Sequence, residues 1–214
     1  MIRALVVVLL LAASAPAHAQ DCQARLGWID ARLTRTARHA RIWSWGWGIT
    51  LGVSAVGSLV AVPFVAEEER PDWYVNAFTS AVGLLPLVIA PLPVMHDADE
   101  LHGLAGDACA RLPQAELMLA RDAQGEREGR AWWNHALNLV LNGGAGLFLG
   151  LVYDRWQSGI LTAVVGTAVG EVMIFTQPTG SIDAETGYRR GEVTLSVKPL
   201  THRGEFGLFL GGSF

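Results

Sequence analysis

The chain has 214 residues, 51% of them hydrophobic and only 17% charged, with a formal net charge of −4. A water-soluble domain carries about a quarter charged residues, so this balance argues against an ordinary soluble globule and for a membrane protein of one domain. The mild negative charge gives nucleic acid nothing to bind.

Residues 1–19 read as a cleaved signal peptide. Arg3 is the positive n-region, Ala4 to Ala13 is a short apolar core, and Ala17-His18-Ala19 after Pro16 is an A-x-A cleavage site. The apolar run falls short of the roughly 20 residues that a span needs. The mature chain then begins at Gln20 in an exported, oxidising compartment, where the two cysteines, Cys22 and Cys109, are expected to form a disulfide. Residues 20–42 read as an exported amphipathic helix. Leu26, Ile29 and Leu33 lie on one side, and Arg32, Arg35, Arg38 and Arg41 form a basic ridge at spacing three.

Four apolar segments follow. Trp43 to Ala66, Trp73 to Met95 and Ala131 to Tyr153 contain no Asp, Glu, Lys or Arg, and Trp156 to Gln177 contains only Glu171. Each is long enough to cross a hydrocarbon core of about 30 Å as a helix, and a helix bonds its own backbone groups where water is absent. Trp43, Trp45, Trp47, Trp73, Tyr74, Trp132, Trp133, Tyr153 and Trp156 sit near the segment ends, as an interfacial aromatic belt does. The short links Glu67 to Asp72 and Asp154-Arg155 make two antiparallel helical hairpins, residues 43–95 and 131–177. Residues 96–130 form an exported polar connection, helical in part. Residues 178–214 form an exported tail, in which alternating Val193, Leu195 and Val197, and a second run from Glu205, predict a small β-hairpin. The expected fold is mainly α: a four-helix membrane bundle with an N-terminal amphipathic helix, a polar helical connection and a small C-terminal β-hairpin.

A cleaved signal and four crossings put both termini, and both cysteines, on the exported side. The distribution of basic residues opposes this order. Only Arg70 and Arg155 would face the cytoplasm, against thirteen Lys or Arg outside (five before residue 43, four between 96 and 130, four after 177), whereas orientation ordinarily follows the positive side inward. The signal acts first and sets the order.

Residues four apart on a helix lie roughly above one another. The third segment carries Asn134, Asn138, Asn142, Gly146 and Gly150 in that register. The fourth carries Ser158, Thr162, Gly166 and Gly170, the first Gly46, Thr50, Ser54 and Ser58, and the second Asn76 and Ser80. Small residues let helices approach in lipid and polar side chains bond across them. Gly48/Gly52, Gly146/Gly150 and Gly166/Gly170 each fit G-x-x-x-G. The turn at 154–155 pairs residues whose numbers sum to about 309, so Glu171 faces Asn138, one turn from Asn134 and His135. An ionisable group in such a segment is a functional candidate, and the Glu171/His135/Asn138 cluster has the groups to hold or relay a proton. His96, Asp99 and His102, spaced by three, are a weaker candidate for a divalent metal and match no zinc signature.

The chain has no G-x-S-x-G elbow, no H-E-x-x-H and no phosphate-binding G-x-x-x-x-G-K, and nothing in it implies a cofactor. The expectation is a non-enzymatic structural or interaction component of the cell envelope. Its partners are the lipid bilayer and a second copy or another envelope protein. Small-solute or proton-coupled transport through the Glu171/His135/Asn138 cluster is the alternative, and an intramembrane enzyme using the same groups as acid and base is the weaker one.

Overall fold

The structure, a computed structural model, describes the backbone of residues 2–190, 194–202 and 205–213 and the side chains of residues 21–189. The signal segment and the C-terminal hairpin expected from the sequence therefore lie outside the described side chains. Within the described residues the chain is mainly helical. Helix α1 runs Ile2–Ala61, α2 Arg70–Ile89, α3 Val94–Gly103, α4 Ala108–Gly129, α5 Trp132–Tyr153, α6 Trp156–Thr176 and α7 Gly180–Arg190. Short 3-10 turns, Val62–Phe64 and Glu67–Glu69, join α1 to α2.

Helix α1 passes without a break through residue 42, where an amphipathic helix was expected to give way to a first span, so the two are one helix. The reason lies in spacing. Buried positions recur every three or four residues at Cys22, Leu26, Ile29, Leu33, Ala37 and Ala40, and again at Leu51, Ala55, Ser58 and Val62. No proline lies in that line between Cys22 and Leu51, so the helix continues. Helix α2 stops at Ile89, short of the expected Met95. Pro91 and Pro93 follow, and proline lacks the amide hydrogen that a helix needs and disfavours helix in the residue before it. Met95 belongs to α3 instead. Helix α7 was not foreseen in the tail.

Two bodies share α1. The first is a head made from residues 21–42 of α1 with α3, α4 and α7, and it holds the main core. Leu26, Ile29 and Leu33 meet Leu101 of α3 and Met118 and Leu119 of α4. Cys22 and Cys109 sit at disulfide distance, with Cα atoms 5.0 Å apart, and join α1 to the start of α4. Arg25 donates to Glu116 at 2.7 Å and to Tyr188 Oη at 2.8 Å, and Tyr188 donates to Glu116. Burial and the Glu116 carboxylate push the Tyr188 hydroxyl up to about 12, so it remains a donor. Asp107 caps α4 by accepting from Ala110 N at 2.9 Å. Arg41 reaches Asp99 at 2.5 Å and the Met95 carbonyl at 2.7 Å, pinning α3 to α1.

The second body is a bundle of the rest of α1 with α2, α5 and α6. Four helical segments, one through each of these helices, are long and apolar enough to cross a membrane, and only 6–22% of the most apolar stretch of each is buried within the protein. Ile49, Val53, Val88, Val140, Leu151 and Leu161 all point outward. In water that outward surface would be a large liability, so the arrangement is compatible with a membrane protein. Helices α1 and α2 meet through hydroxyls and an amide. Ser54 and Ser80 lie 2.9 Å apart, and Asn76 donates to Ser58 at 2.7 Å and Ser54 at 3.2 Å.

Helices α5 and α6 reverse over Asp154, whose left-handed φ of 58° ends α5, with Arg155 N bonded to Leu149 O at 3.1 Å. The two backbones then touch. A Cβ placed on Gly146 would overlap the Gly159 carbonyl and come within 2.9 Å of Ala163 Cβ, and one on Gly150 would come within 2.6 Å of the Trp156 ring. Arg155 clamps the two hairpins at the same end, giving Asp72 three contacts of 2.5–3.1 Å, and Ser158 adds one at 3.0 Å.

Gly146→Val should force α5 and α6 apart and cost about 1–3 kcal/mol, read as a lower melting temperature of the detergent-solubilised protein. Gly48→Val is the control, because a Cβ there meets nothing within 4 Å; equal losses from both would refute the seam.

Candidate functional site

The polar face of α5 lies against α6, and its side chains bond in a chain that starts at the head. Asn134, in the first turn of α5, donates to the carbonyls of Glu128 at 2.7 Å and Gly129 at 3.0 Å, so it caps the end of α4. His135 Nδ1 lies 2.6 Å from Glu171 Oε2. That line carries one proton, either as imidazole N–H to carboxylate or as carboxyl O–H to imidazole. Asn138 donates to Glu171 Oε1 at 3.0 Å and to the Thr167 carbonyl at 2.9 Å. Asn142 donates to the Asn138 carbonyl at 3.0 Å and to Asn138 Oδ1 at 2.8 Å. Gly166 and Gly170 leave room for these amides, since a Cβ on either would overlap Asn142 or Asn138.

Four of the residues singled out by the sequence, His135, Asn138, Asn142 and Glu171, thus come together on one seam in the register that a two-residue turn dictates, whereas Asn134 turns to the end of α4. Glu171 lies five residues before the end of α6, about 7.5 Å from it along the axis, and Thr176 at that end receives the indole N–H of Trp43 at 3.1 Å and of Trp47 at 3.3 Å. The cluster is therefore one turn inside the aromatic boundary, and the side chains of His135 and Glu171 are 30% and 28% exposed. The Phe175 ring stands 5.3 Å from that of His135.

Other sequence candidates separate. Gly48 and Gly52 face open space, with nothing within 4 Å of a Cβ placed on either, unlike Gly146, Gly150, Gly166 and Gly170. Ser158 turns to Asp72 rather than along the seam. His96 is exposed, Asp99 is held by Arg41, and His102 Nε2 lies 2.7 Å from Asp30. Among the described residues, no three His, Cys, Asp or Glu side chains gather closely enough to hold a metal.

A second polar group, in the head, escaped the sequence reading. Asp97 of α3 and Asp122 and Glu126 of α4 are each no more than 2% exposed. Arg121 forks onto Asp97 at 2.5 and 3.2 Å. Glu126 accepts from Ser181 N at 2.9 and 3.1 Å and from Ile182 N at 3.0 Å, capping the start of α7. No N–H or O–H faces either oxygen of Asp122. Its neighbour is the Asp97 carboxylate, so a bond between the two exists only when a proton is shared. Burial, then the Asp97 charge, pushes Asp122 from its ordinary 3.8 up to about 8. The signal was in the sequence: Ala115, Met118, Leu119, Asp122 and Glu126 follow one helical face.

Searches against protein-family models, curated proteins and solved structures find no match to this chain.

Asp122 binds its proton more tightly folded than unfolded, so its contribution to stability is complete at acid pH and is lost as pH rises from about 4 to about 8. Burial raises Glu126 in the same sense. Glu185 acts oppositely, because Arg127 and Arg189 overcome its burial and hold it low. Asp122→Asn, which fixes the neutral form, should raise the melting temperature at pH 8 by ~3 °C per kcal/mol recovered and flatten its decline between pH 5 and 8. A variant that melts lower at every pH, with the decline intact, would contradict the shared proton.

Proposed function

We propose that the chain is an exported integral membrane protein of the cell envelope, acting as a non-enzymatic structural or interaction component. In this reading the bundle crosses the bilayer, both termini and the disulfide-tied head lie on the exported side, and the tail adds a β-hairpin to the head. The observation that carries it is the engagement of the amides on the α5–α6 seam: Asn138 and Asn142 donate to helix carbonyls, to Glu171 and to one another. Side chains so engaged serve as interhelical bonds, each contributing about 0.6 kcal/mol. The large apolar outer surface of the four helices fits lipid, and its remainder fits a second copy or another envelope protein.

The 2.6 Å His135–Glu171 pair, partly exposed just inside the boundary, favours proton-coupled transport as a second reading. The two readings separate by accessibility. Cysteines placed singly as Asn134→Cys, Asn138→Cys and Asn142→Cys should be protected from a membrane-impermeant thiol reagent at 138 and 142 if the seam is filled. Labelling at Asn142→Cys would favour a wet path. Orientation has its own test: a reporter fused at residue 69 should report cytoplasm and one at the C-terminus the exported side. An exported residue 69 would reverse the arrangement.

A further inference from the structure

At the turn end, opposite the head, a crevice of about 190 Å³ opens between the start of α2 and the end of α5, walled by Glu67, Arg70, Tyr74, Val75, Phe148 and Tyr153. We propose that it binds the headgroup of an amine-bearing phospholipid, with the phosphate on Arg70 and the ammonium on Glu67 and the surrounding rings. This rests on the bilayer reading above.

Arg70 differs from its neighbour on this face. Arg155 is fully engaged by Asp72. Arg70 has only a 3.4 Å contact with Glu67, whose side chain is 86% exposed, and its Nε is buried with no partner. The Arg70 side chain is 39% exposed and lines the crevice, so the outer guanidinium nitrogens can take an acceptor there. At the edge of a bilayer the abundant acceptor is phosphate, which matches the planar fork of arginine. Phe148 and Tyr153 stand edge to face with centroids 5.6 Å apart. With Tyr74 they line the crevice with aromatic rings, which attract a cation, and Val75 with Phe148 adds an apolar wall. Tyr74 and Tyr153 lie in the end turns of their helices, where interfacial tyrosines belong.

Charge selects among headgroups. Glu67, Glu68, Glu69, Asp72 and Asp154 cluster at this end in sequence against Arg70 and Arg155, so an anionic headgroup meets excess negative charge. A headgroup with its own ammonium brings a balancing positive charge, and a primary ammonium donates hydrogen bonds to Glu67 that a quaternary one lacks.

The test is native mass spectrometry of the full chain, released from membranes containing equal phosphatidylethanolamine, phosphatidylglycerol and phosphatidylcholine. Phosphatidylethanolamine should be retained several-fold over the other two. Glu67→Gln should erase its advantage over phosphatidylglycerol, and Arg70→Gln should lower retention of all three about tenfold, which corresponds to about 1.4 kcal/mol. Equal retention of phosphatidylglycerol by the unaltered protein, or unchanged retention in Arg70→Gln, overturns the inference. Carbonate washing of the membranes separates this failure from that of the bilayer reading: a chain that washes off sinks both, whereas one that stays without headgroup preference sinks only this site.

Discussion

One buried line along α1 holds the molecule together. From Cys22 to Ala40 it forms the floor of the head, and from Leu51 to Val62 it forms one side of the bundle. The spacing of three and four is the same in both stretches, but the partners change character. In the head the line meets leucines and methionine, and burial of apolar area from water stabilises the contact. In the bundle it meets Ser80 and Asn76 through Ser54 and Ser58. In a bilayer there would be no water to expel, and hydrogen bonds with close approach hold helices instead. A single helix therefore passes between two packing regimes, and the ring of Trp43 and Trp47 on Thr176 marks the change.

The two hairpins solve the same problem with different side chains. Helices α1 and α2 use short hydroxyls at moderate separation. Helices α5 and α6 come so close at Gly146 and Gly159 that backbone meets backbone, and the asparagines occupy the space that opens toward the head. The Asp72–Arg155 clamp closes the opposite end and joins the hairpins through charge. In the head, several arginines find carboxylates locally: Arg25 on Glu116, Arg41 on Asp99, Arg121 on Asp97, and Arg127 and Arg189 sharing Glu185.

The Asn138–Glu171 contact was legible because a two-residue reversal leaves α5 and α6 a single register. Gly146, Gly150, Gly166 and Gly170 of that seam were legible from their spacing, whereas Gly159, which meets Gly146 backbone to backbone, fell outside the stripe expected on α6. Gly48 and Gly52 carry the same motif without a helix against them, which shows how little a four-residue spacing says alone. The end of α2 was misplaced because apolar composition runs on through Leu92 to Met95, while the prolines at 91 and 93 decide the backbone. Helix α7 was missed because Ser181, Ala184, Glu185 and Tyr188, its inward face, are mostly polar and carry no hydrophobic period. Asp122 was missed because an acid on a helix reads as solvated until its apolar neighbours are placed in register with it.

The continuity of α1 also has a mechanical side. Residues 21–61 span about 60 Å at 1.5 Å per residue, with no glycine–proline hinge at the level where head meets bundle. A helix of this kind acts as a lever arm. A tilt of the head by about 5° would carry the far end of α1 by about 5 Å if the rod stayed straight, a displacement comparable to one helical turn. The Asp72–Arg155 clamp sits beside that far end, on the partner helix of α1. Any load applied to the head would therefore be felt at the opposite end of the bundle as strain on one ion pair.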